Sequence, residues 1–249
     1  MPARIDQLSP VHRPDLDDRA LLSLFERPVR KRPWLRVNFV ASVDGAATLD
    51  GLSGALGGPA DKRLFDLLRR PADVVLVAAG TVRAEGYGPM VLDAESVAWR
   101  EAAGLAPQPV FALVSGSLNL DPRSRVFTEA PVRPIVLTRE SAPTDRRAAL
   151  SEVAEVISCG VEAFDPKAAV AALVERALPQ IHCEGGPSLF GALLASDVVD
   201  ELCLTVAPTL ASGGALRIAH ADASVDRPQY LAHVLSAEDT LLLRYLRAR

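Results

Sequence analysis

The sequence predicts an α/β fold: a mostly parallel central sheet flanked by helices, with an antiparallel hairpin at its C-terminal edge. Three observations carry that prediction. Short, continuously apolar runs such as 73–79 (DVVLVAA) have the pattern of strands buried on both faces. Segments with leucines at helical spacing stand between them, as at 60–70, where Leu64, Leu67 and Leu68 share one face. Beyond residue 200 the alternation ends, and three strand-like runs follow with no helix between them.

Residues 1–32 read as an N-terminal arm, rich in proline and charge, and residues 33–249 as one domain. The arm holds one amphipathic stretch, 16–25, with the spacing of a short helix. Pro28 and Pro33 bracket the linker into the domain. Residues 34–42 (WLRVNFVAS) alternate large apolar with polar side chains and then turn continuously apolar, which makes them the first strand. The helix at 60–70 and the strand at 73–79 follow. Further buried strands are predicted at 110–115 and 134–138, a helix at 145–153 and a short strand at 155–158. The alanine-rich stretch 166–178 reads as a helix, with Pro166 suited to its first turn. A strand at 180–184 runs through a Gly-Gly-Pro turn into a helix at 188–195, and strands at 201–207, 229–235 and 240–246 close the chain.

Composition narrows the function. The chain has 249 residues, 49% of them hydrophobic, which suffices for a sizeable core and is too apolar for disorder. Lysine and arginine total 27 against 31 acidic residues, a net charge of −4. That balance argues against a nucleic-acid binder, whose footprint is a basic excess. No uncharged apolar run approaches the ~18 residues of a membrane helix, and the charged N-terminus lacks the apolar stretch of a signal peptide. Cys159, Cys183 and Cys203 are odd in number and widely spaced, without a C-x-x-C pair. They read as small core residues of a cytoplasmic protein.

Several chemistries are missing their signatures. No G-x-G-x-x-G follows the first strand and no G-x-x-x-x-G-K-[ST] exists, so neither a standard dinucleotide fold nor a P-loop is expected. His12, His182, His220 and His233 are scattered, with no H-E-x-x-H and no paired cysteines, so no metal site is expected. The run Gly186-Pro187-Ser188-Leu189-Phe190 resembles a nucleophile elbow but has phenylalanine where the second glycine is required.

Two segments do share one construction: a buried strand, a small-residue turn, and a helix start. One carries Gly80, Thr81, Arg83 and Glu85; the other carries Glu184, Gly185, Gly186, Pro187, Ser188 and Leu189. Glycine lets backbone approach a bound group, and the first N–H groups of a helix attract an anion. Thr81 or Ser188 is suited to cap its helix. Two such turns suit the two phosphates of a dinucleotide. A third motif, Ser42-Val43-Asp44-Gly45, puts a carboxylate at the end of the first core strand, where α/β sheets bind ligands.

In their order these motifs resemble the pyrimidine reductase of bacterial riboflavin biosynthesis, usually fused to a zinc deaminase, over roughly residues 33–247. The motifs are Ala-Ser-Val-Asp44-Gly, Pro59 with a helix ending in Leu-Leu-Arg69, the run 73–79 with Gly80-Thr81-Val-Arg83-Ala-Glu85, Glu184-Gly-Gly-Pro-Ser-Leu, Asp200-Glu201-Leu and Ala-Pro208-Thr-Leu. The resemblance implies a stand-alone reductase without the deaminase, a dihydrofolate-reductase-like fold, NADPH as cofactor and a homodimer. It implies reduction of a C=N bond in 5-amino-6-(5-phosphoribosylamino)uracil. By the same resemblance, Ser42, Gly80, Thr81, Arg83, Glu85, Ser117 and the turn Gly185, Gly186, Pro187, Ser188, Leu189 contact the cofactor. Asp44 and Glu184 line substrate and nicotinamide as the catalytic candidates, Asp44 orienting the substrate or relaying a proton. Ser53 and Arg69 lie on the substrate side. Arg83, Ser117 and Arg139 are candidates for the adenosine 2′-phosphate.

The chain also departs from that pattern. Ala46 stands where the family has lysine or arginine, Glu85 where it has aspartate, Gly86-Tyr87-Gly88-Pro89 replaces an Asp-Pro turn, and Leu92 replaces a phosphate-binding arginine. Fewer cations on the substrate phosphate leave a pterin such as dihydrofolate as the second substrate reading. A non-catalytic NADPH-binding regulatory protein is the alternative from another class.

Overall fold

The computed structural model describes residues 2–26 and 29–248, so Pro28, at one end of the expected linker, lies outside the described residues. In chain order the elements are β1 (Asp6–Ser9), α1 (Asp18–Leu24), β2 (Trp34–Ser42), α2 (Pro59–Arg69), β3 (Val74–Ala78) and α3 (Ala79–Ala84). There follow α4 (Ala94–Ala102), β4 (Val110–Val114), α5 (Arg125–Thr128), β5 (Ile135–Thr138), α6 (Thr144–Ser151) and β6 (Glu155–Ser158). The last are α7 (Pro166–Glu175), β7 (Gln180–Cys183), α8 (Pro187–Ala195), β8 (Glu201–Ala207), β9 (Gln229–Ala237) and β10 (Thr240–Arg247). They fall into two compact units: residues 1–29, 34–68 and 184–249, and residues 30–33 and 69–183.

In the second unit the strand order is β7-β3-β4-β5-β6, with parallel pairing throughout. β3, β4 and β5 are continuously apolar because helices follow them in the chain and both sheet faces are covered. Val75, Val77, Phe111, Leu113, Val136 and Leu150 form its core. α4 was not legible as a helix from its leucine spacing; it is started instead by Asp93, whose carboxylate accepts from Ser96 N at 2.7 Å. Arg100 of that helix is fully buried and donates to the carbonyls of Arg70, Ala72 and Ala106. Burial lowers its pKa to about 10.

In the first unit the order is β1-β9-β10-β8-β2. β2 and β8 run parallel; β8–β10, β10–β9 and β9–β1 are antiparallel. The expected C-terminal hairpin is therefore present, with β1 from the N-terminal segment added at the edge. Four residues with one apolar alternation are too short a signal to read as a strand, and only the pairing with β9 creates it.

The half-alternating reading of β2 needs correction. Every residue from Leu35 to Ser42 is buried, Arg36 and Asn38 included. Arg36 stays charged there because it faces Glu201 in the parallel register with β8. Glu201 Oε1 accepts from Arg36 Nε at 2.8 Å and Arg244 Nε at 2.7 Å, and Oε2 accepts from Trp34 Nε1 at 2.7 Å. Both guanidiniums also lie over the Phe25 ring and donate to the carbonyls of Phe25 and Leu24, just past and at the end of α1. One buried carboxylate thus ties α1, β2, β8 and β10 together.

Candidate active site

In the first unit, the end of β2 sets the geometry. Gly45 takes φ +91°, a left-handed conformation open to glycine, and lets the chain reverse so that Ser42 N donates to Ala46 O at 2.9 Å. Ser42 Oγ donates to Asp44 Oδ1 at 2.5 Å and accepts from Ala46 N at 2.9 Å. Asp44 then reaches the β8–β9 connection: Oδ1 accepts from Ala211 N at 3.0 Å and Oδ2 from Ser212 N at 2.7 Å. Backbone bonds from Val43 N to Thr209 O and Ala47 N to Leu216 O, both 2.9 Å, sew the same segments together. The Ser42 hydroxyl first, and then these two amides, hold the Asp44 carboxyl at about 2. A carboxyl held so low carries no proton at neutral pH. Its carboxylate is an anion accepting two N–H bonds and one O–H bond.

Glu184 is buried and opens the Gly-Gly turn, in which Gly185 and Gly186 take φ +128° and +102°. Gly186 is the N-cap residue of α8 and makes no side-chain cap bond; Pro187 occupies the first turn and Phe190 N bonds Gly186 O at 2.9 Å. The expected capping by Ser188 is therefore corrected: Pro187 starts the helix one residue earlier than the spacing suggested, and Ser188 lies inside it. Leu189 is buried, so what it can offer a ligand is backbone. Phe190 stacks on Phe39 with centroids 5.2 Å apart. A Cβ on Gly191 would meet His220 O at 2.1 Å, so this helix is seated against the segment before β9. Ser53 lies in the β2–α2 connection, where its carbonyl accepts from Leu56 N.

Sequence reasoning did not single out Asp61 in the first turn of α2. Its Oδ1 accepts from Thr205 Oγ1 at 2.6 Å, and burial raises its pKa. The pair joins α2 to β8, and no local pattern marks a bond between residues so far apart in the chain.

In the second unit, α3 follows β3 with no intervening loop. Its N-cap residue is Ala78, with no side-chain bond, so Thr81 sits at the third helical position and is not the cap expected of it. Glu85 closes the helix by donating its N–H to Thr81 O at 2.9 Å. Gly80 is exposed, with nothing within 4 Å of an added Cβ, so no protein neighbour requires glycine there. Arg83 and Ser117 are exposed, Arg83 donating to Asn119 O at 2.8 Å. Arg69 ends α2. The described structure therefore gathers Ser42, Asp44, Ser53 and residues 184–189 into the first unit, and Arg69, Gly80, Thr81, Arg83, Glu85 and Ser117 into the second.

Residues 33–232 match the family model of the RibD C-terminal domain. The chain belongs to that family. Among relatives of this RibD-type reductase domain, the 2,5-diamino-6-ribosylamino-4(3H)-pyrimidinone 5′-phosphate reductase of Archaeoglobus fulgidus is 27% identical over 183 residues, 73% of this chain and 83% of its own. The protein of the same name from Aquifex aeolicus is 30% identical over 74% of this chain and 80% of its own. A solved pyrimidine reductase-like protein from Corynebacterium diphtheriae is similar with a TM-score of 0.81 at 33% identity, covering 87% of this chain and 92% of that one. Ala46 is buried in the β2 turn, and Leu92 is buried with its backbone clamped by Gln108, whose side chain accepts from Leu92 N at 2.7 Å.

Proposed function

We propose that this RibD C-terminal domain is an NADPH-dependent reductase of a ribosylamino-pyrimidine 5′-phosphate, the riboflavin-pathway substrate 5-amino-6-(5-phosphoribosylamino)uracil or its diamino counterpart. The observation that carries the proposal is the agreement of several relatives named for that reaction, each aligned over almost three quarters of the chain. NADPH, when bound, supplies the hydride. The chain's own residues suit it: the Gly185–Gly186 turn has no side chain to obstruct a phosphate, and the nine-residue α8 starts without a side-chain cap. Gly80, Thr81, Arg83, Glu85, Ser42 and Ser117 are assigned to the same cofactor.

Asp44 is assigned to the substrate. A fixed carboxylate accepts the N–H donors of an amino-oxo-pyrimidine and holds the acceptor bond in place, which lowers the barrier by orientation. Reduction of C=N leaves a nitrogen that needs a proton; Glu184, or water it positions, is the candidate donor. Arg69 and Ser53 are assigned to the substrate side. Turnover of the pyrimidine phosphate, followed by loss of nicotinamide absorbance, tests the proposal. The buried Ala46 and Leu92 keep the pterin reading alive, so dihydrofolate belongs in the same assay. NADPH binding with turnover of neither favours the regulatory alternative.

Asp44→Asn tests the orienting role. Asparagine keeps the shape but replaces one accepting oxygen by a donor, opposing Ala211 N or Ser212 N. Turnover is expected to fall roughly 10²–10⁴-fold, with NADPH affinity within about threefold of wild type, since Asp44 is not assigned to the cofactor. Near-wild-type turnover would remove Asp44 and leave it a turn former with Gly45.

We also assign a homodimer and a cytoplasmic location. No helix among the described residues is long and apolar enough to cross a membrane, and the three buried cysteines are in no disulfide. On one face of the antiparallel sheet, Leu202, Leu204 and Val206 of β8 stand beside Tyr245, Leu243 and Leu241 of β10, all at least partly exposed. An uncharged row of this kind is complementary to its own copy about a twofold axis. Sedimentation should therefore give a dimer for wild type and a monomer for Leu243→Glu. A wild-type monomer would overturn this assignment.

A further inference from the structure

Residues 208–228, between β8 and β9, form neither helix nor strand, and none of them is buried. Leu210 is 76% exposed and Leu216 48%. A segment that buries so little apolar surface is held in place by its hydrogen bonds, and a connection of this length is a common carrier of function. Its bonds reach two places. At the end of β2, Val43 N donates to Thr209 O and Ala47 N to Leu216 O, both at 2.9 Å, while the amides of Ala211 and Ser212 donate to Asp44. At the start of α8, His220 N donates to Pro187 O at 3.0 Å.

Gly191, one turn further along α8, is the floor of that second contact. It is buried, and an added Cβ would lie 2.1 Å from His220 O, 2.6 Å from His220 C and 3.1 Å from Ala221 Cβ. Backbone thus rests directly on helix backbone, a close approach that needs glycine. The helix is the fixed partner: Leu189, Phe190 and Leu193 are buried, and Phe190 stacks on Phe39. The exposed segment is the one that yields. Ser212 and Gly213 take φ +57° and +72°, and a turn of this kind points successive N–H groups at one anion. The Ala211 amide serves Asp44 Oδ1 and the Ser212 amide Oδ2, at 3.0 and 2.7 Å. A displacement of about 1 Å away from Asp44 takes both out of hydrogen-bond range.

We propose that Gly191 is a positioning residue of the substrate site: by seating His220 on α8, it holds residues 209–216 where they fix the Asp44 carboxylate. The proposal rests on the assignment of Asp44 to the substrate. One backbone strap then ties the substrate's carboxylate to the helix assigned to the cofactor.

Two variants remove the seat from opposite sides. Gly191→Ala adds the obstructing Cβ to the helix. His220→Pro leaves the helix intact and deletes the N–H that bonds Pro187. The amide resonances of Ala211 and Ser212 in the free, full-length protein report their contact with Asp44, and Asp44→Asn marks the positions they take once the carboxylate is gone. In both variants the two resonances are expected to move toward those positions. The kcat/KM for the pyrimidine phosphate should fall roughly 10–10²-fold, with NADPH affinity by calorimetry within about twofold of wild type. A helix that merely packs less well would lower the melting temperature and NADPH affinity and leave the resonances in place. Unmoved resonances in either folded variant, or NADPH affinity falling as far as kcat/KM, overturn the proposal. If wild type does not turn over the pyrimidine phosphate, the functional reading fails, whereas the resonances need no ligand and still decide whether Gly191 holds Asp44.

Discussion

Replacing Gly186 by valine is expected to abolish NADPH binding, lowering affinity by more than about a hundredfold. Two effects combine. Gly186 sits at φ +102° directly after Gly185 at +128°, a conformation that costs a β-branched residue roughly 1–3 kcal/mol. The added side chain also occupies the space through which a pyrophosphate would approach the first turn of α8. Calorimetry on the folded variant reads the affinity, and its melting temperature separates the strain from the loss of binding. Gly186→Ala, smaller and less strained, keeps the test informative if the valine variant does not fold. An unchanged affinity in either folded variant would remove this turn from the cofactor site.

Glu201→Ala is expected to cost about 3–5 kcal/mol, because it leaves two buried guanidiniums facing each other without their carboxylate. For a chain of this size that is a fall in melting temperature of roughly 6–20 °C. The consequence reaches the site. Arg36 opposite Glu201 holds the β2–β8 register, which brings Ser42 opposite Ala207 and so sets the Asp44 turn beside residues 209–212. Loss of turnover should accompany the loss of stability.

The same residue makes stability pH-dependent. Burial pushes the Glu201 carboxyl up, but Arg36 and Arg244 outweigh it and hold it at about 2, below its ordinary 4.5. A carboxyl depressed on folding stabilises the protein fully above its unfolded pKa and loses that contribution as pH falls through the folded one. The loss should therefore run from about pH 4.5 down to about pH 2. Urea unfolding across that window checks it: Glu201→Gln, which cannot titrate, should flatten the slope. An equally steep slope in that variant would assign the acid sensitivity to other carboxylates.

Much of the fold was legible without coordinates, for local reasons. β2, β6 and β8 begin and end where the sequence indicated, and α2, α7 and β10 differ by a few residues at their ends. Apolar runs bounded by proline, glycine and charge mark strands whatever they later pair with. Of the candidate site, the turn glycines were legible in the same local way. Gly45, Gly185 and Gly186 stand at positive φ, as the turns they were read from require.

The sequence by itself determined the order and kind of the elements, the glycine turns, and the motifs that carry the family resemblance. Those depend on a residue and its near neighbours. Tertiary structure alone decided the rest. The alternation in residues 34–42 gave no sign that Arg36 is buried against Glu201, a partner 165 positions later. β1 is a strand only because β9 offers it an edge. The Asp44 carboxylate accepts from amides 167 and 168 residues away, partners no local stretch of sequence names. Protonation, burial of charge and edge pairing depend on which distant groups arrive beside a side chain, and that information resides in the packing, not in any local stretch of sequence.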